Sequence, residues 1–233
     1  MCRNLISLPQ IELLPDEPLP ALQYLLIAGG RPPAPDWLKK IKNGRKLWAI
    51  DRGIDICHQC HLLPERLLGD GDSASSEAWE WAEAHAIPTD RYPPEKDWTD
   101  TQLALNLLAP KSPFLLLTGC FGGRLDHLFS MIFSCAHAKM PCLLADEQEL
   151  LFPLHGGHSL TVSCKIPPKA LSLLPLTADC EKVCINHVHW PLENTRLSQS
   201  APNAVSNVPS SDKPITVSVG TGILGIYLDW GIK

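Results

Sequence analysis

The chain has 233 residues, 45% of them hydrophobic, with a net charge of -5 and a pI near 6.0. That is enough apolar material for one large domain or two modest ones, and the scattered lysines and arginines form no basic stripe of the kind a nucleic-acid binder carries. No apolar run approaches the roughly 20 residues that span a bilayer, and the opening stretch lacks the sustained apolar segment of a signal peptide, so a cytoplasmic location without membrane or nucleic-acid partners is expected.

The first 20 residues show no period and read as an irregular arm. Residues 22–28 are a short apolar run ending at Gly29-Gly30. After a proline, residues 36–42 suit a helix. Residues 46–50 are a second run, ending at Asp51-Arg52-Gly53, and residues 54–63 suit another helix. A third run at 66–68 ends at Gly69-Asp70-Gly71-Asp72. Residues 76–85 are strong helix formers with a serine at their start, placing Trp79 and Trp81 over the sheet. A weak run at 86–89 follows. Within residues 99–108, Leu103, Ala104, Leu107 and Leu108 recur at helical spacing. Residues 114–117 end at Thr118-Gly119, residues 125–138 carry the longest helical pattern, and residues 141–145 end at Asp146.

Short apolar strands alternating with helices indicate a parallel sheet with helices on both faces, a Rossmann-like α/β domain over residues 21–145. Such sheets bind ligands outside the carboxyl ends of their strands. Those ends here are rich in aspartate and glycine. From residue 146 to 233 the texture changes to short runs near 150–154, 159–164, 170–176, 182–185, 215–219 and 223–228 without helical period. This half reads as a smaller all-β sandwich, with residues 193–214, rich in Ser, Asn and Pro, as a long loop.

Nine cysteines at irregular spacing read as reduced thiols. Cys57-His58-Gln59-Cys60-His61 matches a C-x-x-C-H haem attachment or half a zinc site. Haem attachment needs export, and zinc needs a second ligand pair that Cys180 and Cys184 do not supply at the usual spacing. A structural role for these thiols is expected.

Three motifs carry chemistry. In Gly69-Asp70-Gly71-Asp72-Ser73, alternate residues of an extended chain point the same way, so Asp70 and Asp72 can share a cation. Magnesium takes a few carboxylates and completes its shell with water and phosphate oxygens. In Lys96-Asp97-Trp98-Thr99-Asp100, two aspartates open a helix; N-capping accounts for one of them better than for both. In Thr118-Gly119-Cys120-Phe121-Gly122-Gly123-Arg124-Leu125-Asp126-His127, glycines let backbone N–H groups approach phosphate at a helix start, and Arg124 can grip it bidentately. The lysine and hydroxyl that close the common phosphate loop are missing. His127 is expected to start the helix rather than to react.

Taken together, Asp51-Arg52-Gly53 and these three motifs resemble, in order and spacing, those of the thiamine pyrophosphokinase family. That family carries Asp-Gly-Gly, Gly-Asp-Phe-Asp-Ser, Lys-Asp-x-Thr-Asp and Gly-Gly-Arg-x-Asp-His. In the β half, residues 172–176 and Val205-Ser206-Asn207 resemble its strand after the linker and its Val-Ser-Asn loop. Arg52 stands where the family usually has glycine, and Gly71 where it usually has phenylalanine. The resemblance implies diphosphate transfer from ATP to thiamine with release of AMP, in a homodimer whose active site lies at the subunit interface. It implies Asp70, Asp72 and Asp97 for magnesium. Gly29, Gly30, Asp51, Arg52, Thr118, Gly119, Gly122, Gly123 and Arg124 would hold the nucleotide. Asp100, Asp126 and Arg124 would act at the reacting centre, and Asp100, Asp126, Ser206 and Asn207 would contact thiamine. A related pyrophosphokinase acting on a pterin-like hydroxymethyl heterocycle would keep the acids and change the β half. A catalytically weak thiamine or nucleotide sensor is the other alternative.

Overall fold

The computed structural model describes residues 4–69, 71–92 and 97–231. In chain order its strands are β1 (Ile6–Ser7), β2 (Ile11–Pro15), β3 (Gln23–Ile27), β4 (Lys46–Ile50), β5 (Arg66–Leu68), β6 (Thr89–Asp90), β7 (Phe114–Thr118), β8 (Cys142–Ala145), β9 (Glu149–His155), β10 (His158–Cys164), β11 (Ala170–Pro175), β12 (Asp179–Asn186), β13 (Leu192–Ser198), β14 (Ile215–Val219) and β15 (Ile223–Asp229). The helices are α1 (Pro35–Lys42), α2 (Gly53–Gln59), α3 (Ser76–Ala84), α4 (Asp100–Leu108) and α5 (Leu125–Ala136). None of the described helices is long and apolar enough to cross a membrane. The chain divides into two compact units, Pro20–Asp146 and Met1–Leu19 with Glu147–Lys233.

In the first unit six strands run parallel in the order β8-β7-β3-β4-β5-β6. Nearly every residue of β3, β7 and β8 is buried, which is why these strands read as continuous apolar runs rather than alternating ones. The order reverses at β3. The chain moves outward through β4, β5 and β6, then returns to the other side of β3 as β7. That reversal puts the switch point of the sheet at the carboxyl ends of β3 and β7, the edge where sheets of this kind bind ligands.

The helices follow their local signals. Proline begins α1, which buries Trp37, Leu38 and Ile41 along one stripe. Ser75 caps α3 by accepting from Ala78 N. The buried face of α3 is Ala78 and Ala82, so the expectation that Trp79 and Trp81 cover the sheet is corrected. Both indoles are half-exposed, and Trp81 lies against His58 and His85, with ring centroids at 5.2 and 5.0 Å. Small residues face inward because a helix packed this closely has no room for indole.

The second unit holds two antiparallel sheets. One runs β1-β2-β10-β14-β12-β13, the other β11-β15-β9, and β9 packs on β10 and β14. Two expectations are corrected here. The N-terminal stretch read as an irregular arm holds strands among its described residues: β2 pairs with β10 from Ile11↔Cys164 to Pro15↔Leu160, and Ile6, Leu8, Ile11 and Leu13 are fully buried. Their period of two is hidden in the sequence by Pro9 and Pro15. Residues 193–214 are not all loop, because β13 occupies Leu192–Ser198. It is an edge strand with register shifts against β12, and only Leu197 in it is buried. A strand that faces solvent on both sides carries no apolar alternation to read.

Candidate active site

The loops that follow β3 and β7 are zipped together by their backbones. Ala28 N donates to Thr118 O at 2.8 Å, Gly30 N to Gly119 O at 2.7 Å and Arg31 N to Phe121 O at 2.7 Å. Glycine is required for this approach. A Cβ on Gly30 would lie 2.6 Å from Gly119 O, and one on Gly119, whose φ is +67°, would lie 2.2 Å from Ala28 O. A Cβ on Gly29 would lie 2.6 Å from the Cβ of Arg52, so the ends of β3, β4 and β7 meet on one edge. The Arg52 side chain extends into solvent beside Asp55, at 4.0 Å. Thr118 is fully buried, and among the described residues its hydroxyl has no hydrogen-bond partner. Its contribution to the loop pair is its carbonyl, and the side chain offers nothing at the surface for a nucleotide.

Gly122 and Gly123 lead into α5, which Arg124 precedes as a residue without a side-chain cap. A helix start reached through glycines presents N–H groups and a positive dipole end to an anion. Arg124 itself grips Asp126 in two-pronged fashion, Nε to Oδ1 at 3.1 Å and Nη2 to Oδ2 at 2.6 Å, and Asp126 Oδ1 also accepts from His127 N at 3.0 Å. The Arg124 guanidinium holds the Asp126 carboxyl below its ordinary pKa, and Asp126 in turn raises that of Arg124. Both groups lie in solvent.

The acids occupy the neighbouring strand ends. Asp51 has a φ of +54°, donates its N–H to Leu68 O at 2.7 Å, and brings Oδ1 to 3.0 Å from where a Cβ on Gly69 would be. It sits under the Gly69 turn. Asp55 accepts from Ser75 N at 3.0 Å and Ser75 Oγ at 2.6 Å, which ties α2 to the start of α3. The Gly71 backbone lies against the Trp79 indole, with three ring atoms 3.1 to 3.2 Å from an added Cβ. Asp70 and Lys96 lie outside the described residues. Asp72 and Asp97 are exposed, and Asp100 is the first residue of α4. The capping question is settled in favour of neither aspartate. Thr99 caps α4, accepting from Gln102 N at 3.3 Å while Gln102 Oε1 accepts from Thr99 N at 2.9 Å, a complete capping box. Among the described residues no group of three or more His, Cys, Asp or Glu side chains is arranged to hold a metal.

Sequence reasoning missed Arg31 and Asp146. Asp146 is fully buried at the end of β8 and takes two hydrogen bonds from Arg31, at 3.1 and 2.6 Å. Its place after an apolar run was the available signal. The Cys57 and Cys60 thiols are both buried, and burial raises their pKa values, which fits packing rather than ligation.

The β unit contains a cavity of about 480 Å3, lined among others by Leu171, Leu173, Trp190, Leu192, Ser206 and Asn207. Ser206 adopts a φ of +61° and donates its N–H to Ser172 Oγ at 3.1 Å. Asn207 pairs with Leu171 in both directions, at 2.7 and 2.8 Å. The sequence pair Ser206-Asn207 thus sits on a cavity wall. Trp190, which the sequence did not single out, stands beside it.

Comparison with known proteins bears on both units. Residues 38–144 match the family model described as thiamin pyrophosphokinase, catalytic domain, and residues 158–224 match that described as thiamin pyrophosphokinase, vitamin B1 binding domain. A thiamine pyrophosphokinase of Bacillus subtilis is 24% identical over 187 residues, covering 78% of this chain and 87% of its own length. The crystal structure of thiamine pyrophosphokinase from Bacillus subtilis superposes with a TM-score of 0.79 at 21% identity, over 90% of this chain and 100% of that one. Thiamin pyrophosphokinase from Candida albicans reaches 0.72 at 13% identity, over 91% and 93%. These structural likenesses establish a shared fold, and the two family models, in order along most of the chain, establish more: the chain belongs to the thiamin pyrophosphokinase family.

Proposed function

We propose that this protein is a thiamine diphosphokinase, which transfers a diphosphate from ATP to the hydroxyethyl oxygen of thiamine and releases AMP. The observation that carries this reading is the pair of glycine loops zipped at the order reversal of the parallel sheet, with Asp51, Asp72 and Asp97 in the segments that follow β4, β5 and β6. That order reversal also supports a Rossmann-like reading of the α/β unit, and the packing of β9 on β10 and β14 supports a sandwich reading of the β unit.

In the reaction the thiamine hydroxyl oxygen bonds to the β-phosphorus, and the oxygen bridging the α- and β-phosphorus leaves with AMP. Such transfer depends on positioning and on neutralising charge. Gly29, Gly122 and Gly123 would leave backbone open to phosphate, while Gly30 and Gly119 fasten the two loops to each other and Asp51 braces the Gly69 turn. Arg124 would exchange Asp126 for a phosphate oxygen. Asp126, whose carboxyl Arg124 holds below its ordinary pKa, and Asp100 would face the alcohol, and one of the two would take its single proton. Asp70, Asp72 and Asp97 would hold magnesium, which when bound neutralises phosphate charge; a donor set of carboxylates alone suits a hard cation. Thiamine would enter the cavity beside Ser206 and Asn207.

A homodimer with a shared active site fits the exposed face of α5, where Leu125 and Phe129 are 78% and 60% exposed and the Phe129 ring meets Phe133 at a tilt, with centroids 4.5 Å apart. A clustered apolar face of this kind marks an association surface. The eight described cysteines are all free thiols, which fits the cytoplasm.

The test is AMP release from ATP with magnesium and thiamine. AMP only with another alcohol would select a different acceptor, and thiamine binding without AMP would make the protein a sensor. Asp72→Asn should abolish turnover with the melting temperature unchanged, because it removes a metal ligand and keeps the shape. Near-normal turnover would remove Asp72 from the metal set.

A further inference from the structure

The segment between β5 and α3 carries the acidic turn, and it is fastened at both ends. At the sheet, Asp51 N donates to Leu68 O at 2.7 Å and Gly69 N to Asp90 O at 3.2 Å. At the helix, the Asp55 carboxylate accepts from Ser75 N and Ser75 Oγ, and Ser75 caps α3. The middle of the turn rests on a side chain from that helix. Trp79 lies one turn into α3, and its Cη2, Cζ2 and Cζ3 atoms are 3.1 to 3.2 Å from where a Cβ on Gly71 would be. Those atoms are the outer edge of the indole. Gly71 has a φ of +83°, so the backbone conformation and the ring both exclude a side chain there.

Three contacts orient the ring. Besides the Gly71 backbone, Glu83 Oε1 accepts from the indole Nε1 at 3.2 Å, one turn further along α3. The Arg91 guanidinium lies over the ring, 4.9 Å from its centroid, and Arg91 Nη2 donates to the same Glu83 oxygen at 2.8 Å. The indole is thus held from α3 and from the residue that follows β6. Three contacts leave a side chain with two rotatable bonds one orientation. The chain has glycine at 71 where the family motif has phenylalanine, and it brings an aromatic ring to the same turn from the helix. Asp72 follows Gly71 directly. The peptide between them moves as a plane, so whatever sets the Gly71 backbone sets the direction in which the chain enters Asp72.

We propose that Trp79 is a positioning residue for the metal-holding turn: its indole edge is the wall that sets the Gly71 backbone and, through it, the Asp72 carboxylate. This rests on the reading of Asp72 as a magnesium ligand. It also accounts for Trp79 standing outside the buried face of α3.

The experiment measures ATP binding by calorimetry on the full chain without thiamine, once with magnesium and once with a chelator, alongside the melting temperature of each variant. Trp79→Phe keeps an aromatic ring on α3 but lacks the outer atoms that reach Gly71. It should weaken magnesium-dependent ATP binding by about tenfold, the low end for a metal site that loses its outer support. Binding in chelator and the melting temperature should stay unchanged. Trp81→Ala, on the same helix but packed against His58 and His85, should change neither binding constant. Gly71→Ala sets a methyl against the ring and should also weaken binding with magnesium. In the Trp79→Ala background the same substitution should cost less, because the ring it meets is gone. Wild-type binding in Trp79→Phe, or equal weakening with and without magnesium, would overturn the proposal, as would a tenfold loss in Trp81→Ala. Trp79→Phe decides the matter even where Trp79→Ala fails to fold. If the wild-type protein binds ATP equally with and without magnesium, the reading of the acidic turn as a metal site fails first and this inference fails with it.

Discussion

At the carboxyl edge of the α/β unit, backbone meets backbone. Gly30, Gly53 and Gly119 each have a carbonyl oxygen where a Cβ would go. In the β unit the cavity wall is made of side chains, several of them exposed, on β11, on the edge strand β13 and on the loop segment that carries Ser206 and Asn207. The contrast teaches where each surface tolerates change. The edge is defined by close approach, and any added atom displaces main chain on two strands. The cavity is defined by what projects into it, and trimming a side chain alters its shape without moving the frame.

Four measurements sharpen that contrast. Gly119→Ala combines a left-handed backbone with a Cβ 2.2 Å from Ala28 O, so it should cost about 4 kcal/mol, read by urea denaturation; a loss under 1 kcal/mol would break the comparison. Arg31→Ala removes two hydrogen bonds and a positive charge from the buried Asp146. It should cost about 3 kcal/mol, the low end for such pairs because Arg31 is partly exposed. Addition of Asp146→Asn should recover part of that loss, and no recovery would argue against a charge effect. Val205→Ala on the cavity wall, 51% exposed, should lie within about 0.5 kcal/mol of wild type.

The smallest effect is electrostatic. Asp126 has its folded-state pKa lowered by Arg124. Any stability from the pair is therefore present above the ordinary carboxylate pKa and lost as pH falls through the lowered value. Full exposure makes that stability too small to see. The titration itself is visible. By NMR, Asp126 should titrate below the ordinary range, and Arg124→Ala should move it up. An unmoved midpoint would show that Asp126 is not paired in solution.

Legibility differed between the units for the same physical reasons. The strands of the α/β unit are buried on both faces, so residues 46–50, 66–68 and 114–117 were readable as unbroken apolar runs, and the strand-end rule located Asp51, Asp72 and Gly119. The β unit was harder. Pro9 and Pro15 masked β1 and β2, and β13 lies at an edge where nothing selects apolar residues. Trp190 was invisible because a lone tryptophan in a polar stretch has no period. Arg31 and Asp146 were missed because they are 115 residues apart in sequence.

The sequence by itself determined the order of elements in the α/β unit, the chemistry of its strand ends and the membership of a family, because local burial and motif spacing are properties of contiguous residues. Only the tertiary structure decided that the N-terminal segment belongs to the β unit. It alone showed that Thr99 and not an aspartate caps α4, that Thr118 contributes a carbonyl rather than a hydroxyl, and that the Trp79 indole stands against the Gly71 backbone. Each of these depends on which distant groups meet, and hydrogen-bonding capacity, once used within the fold, is no longer available to a ligand.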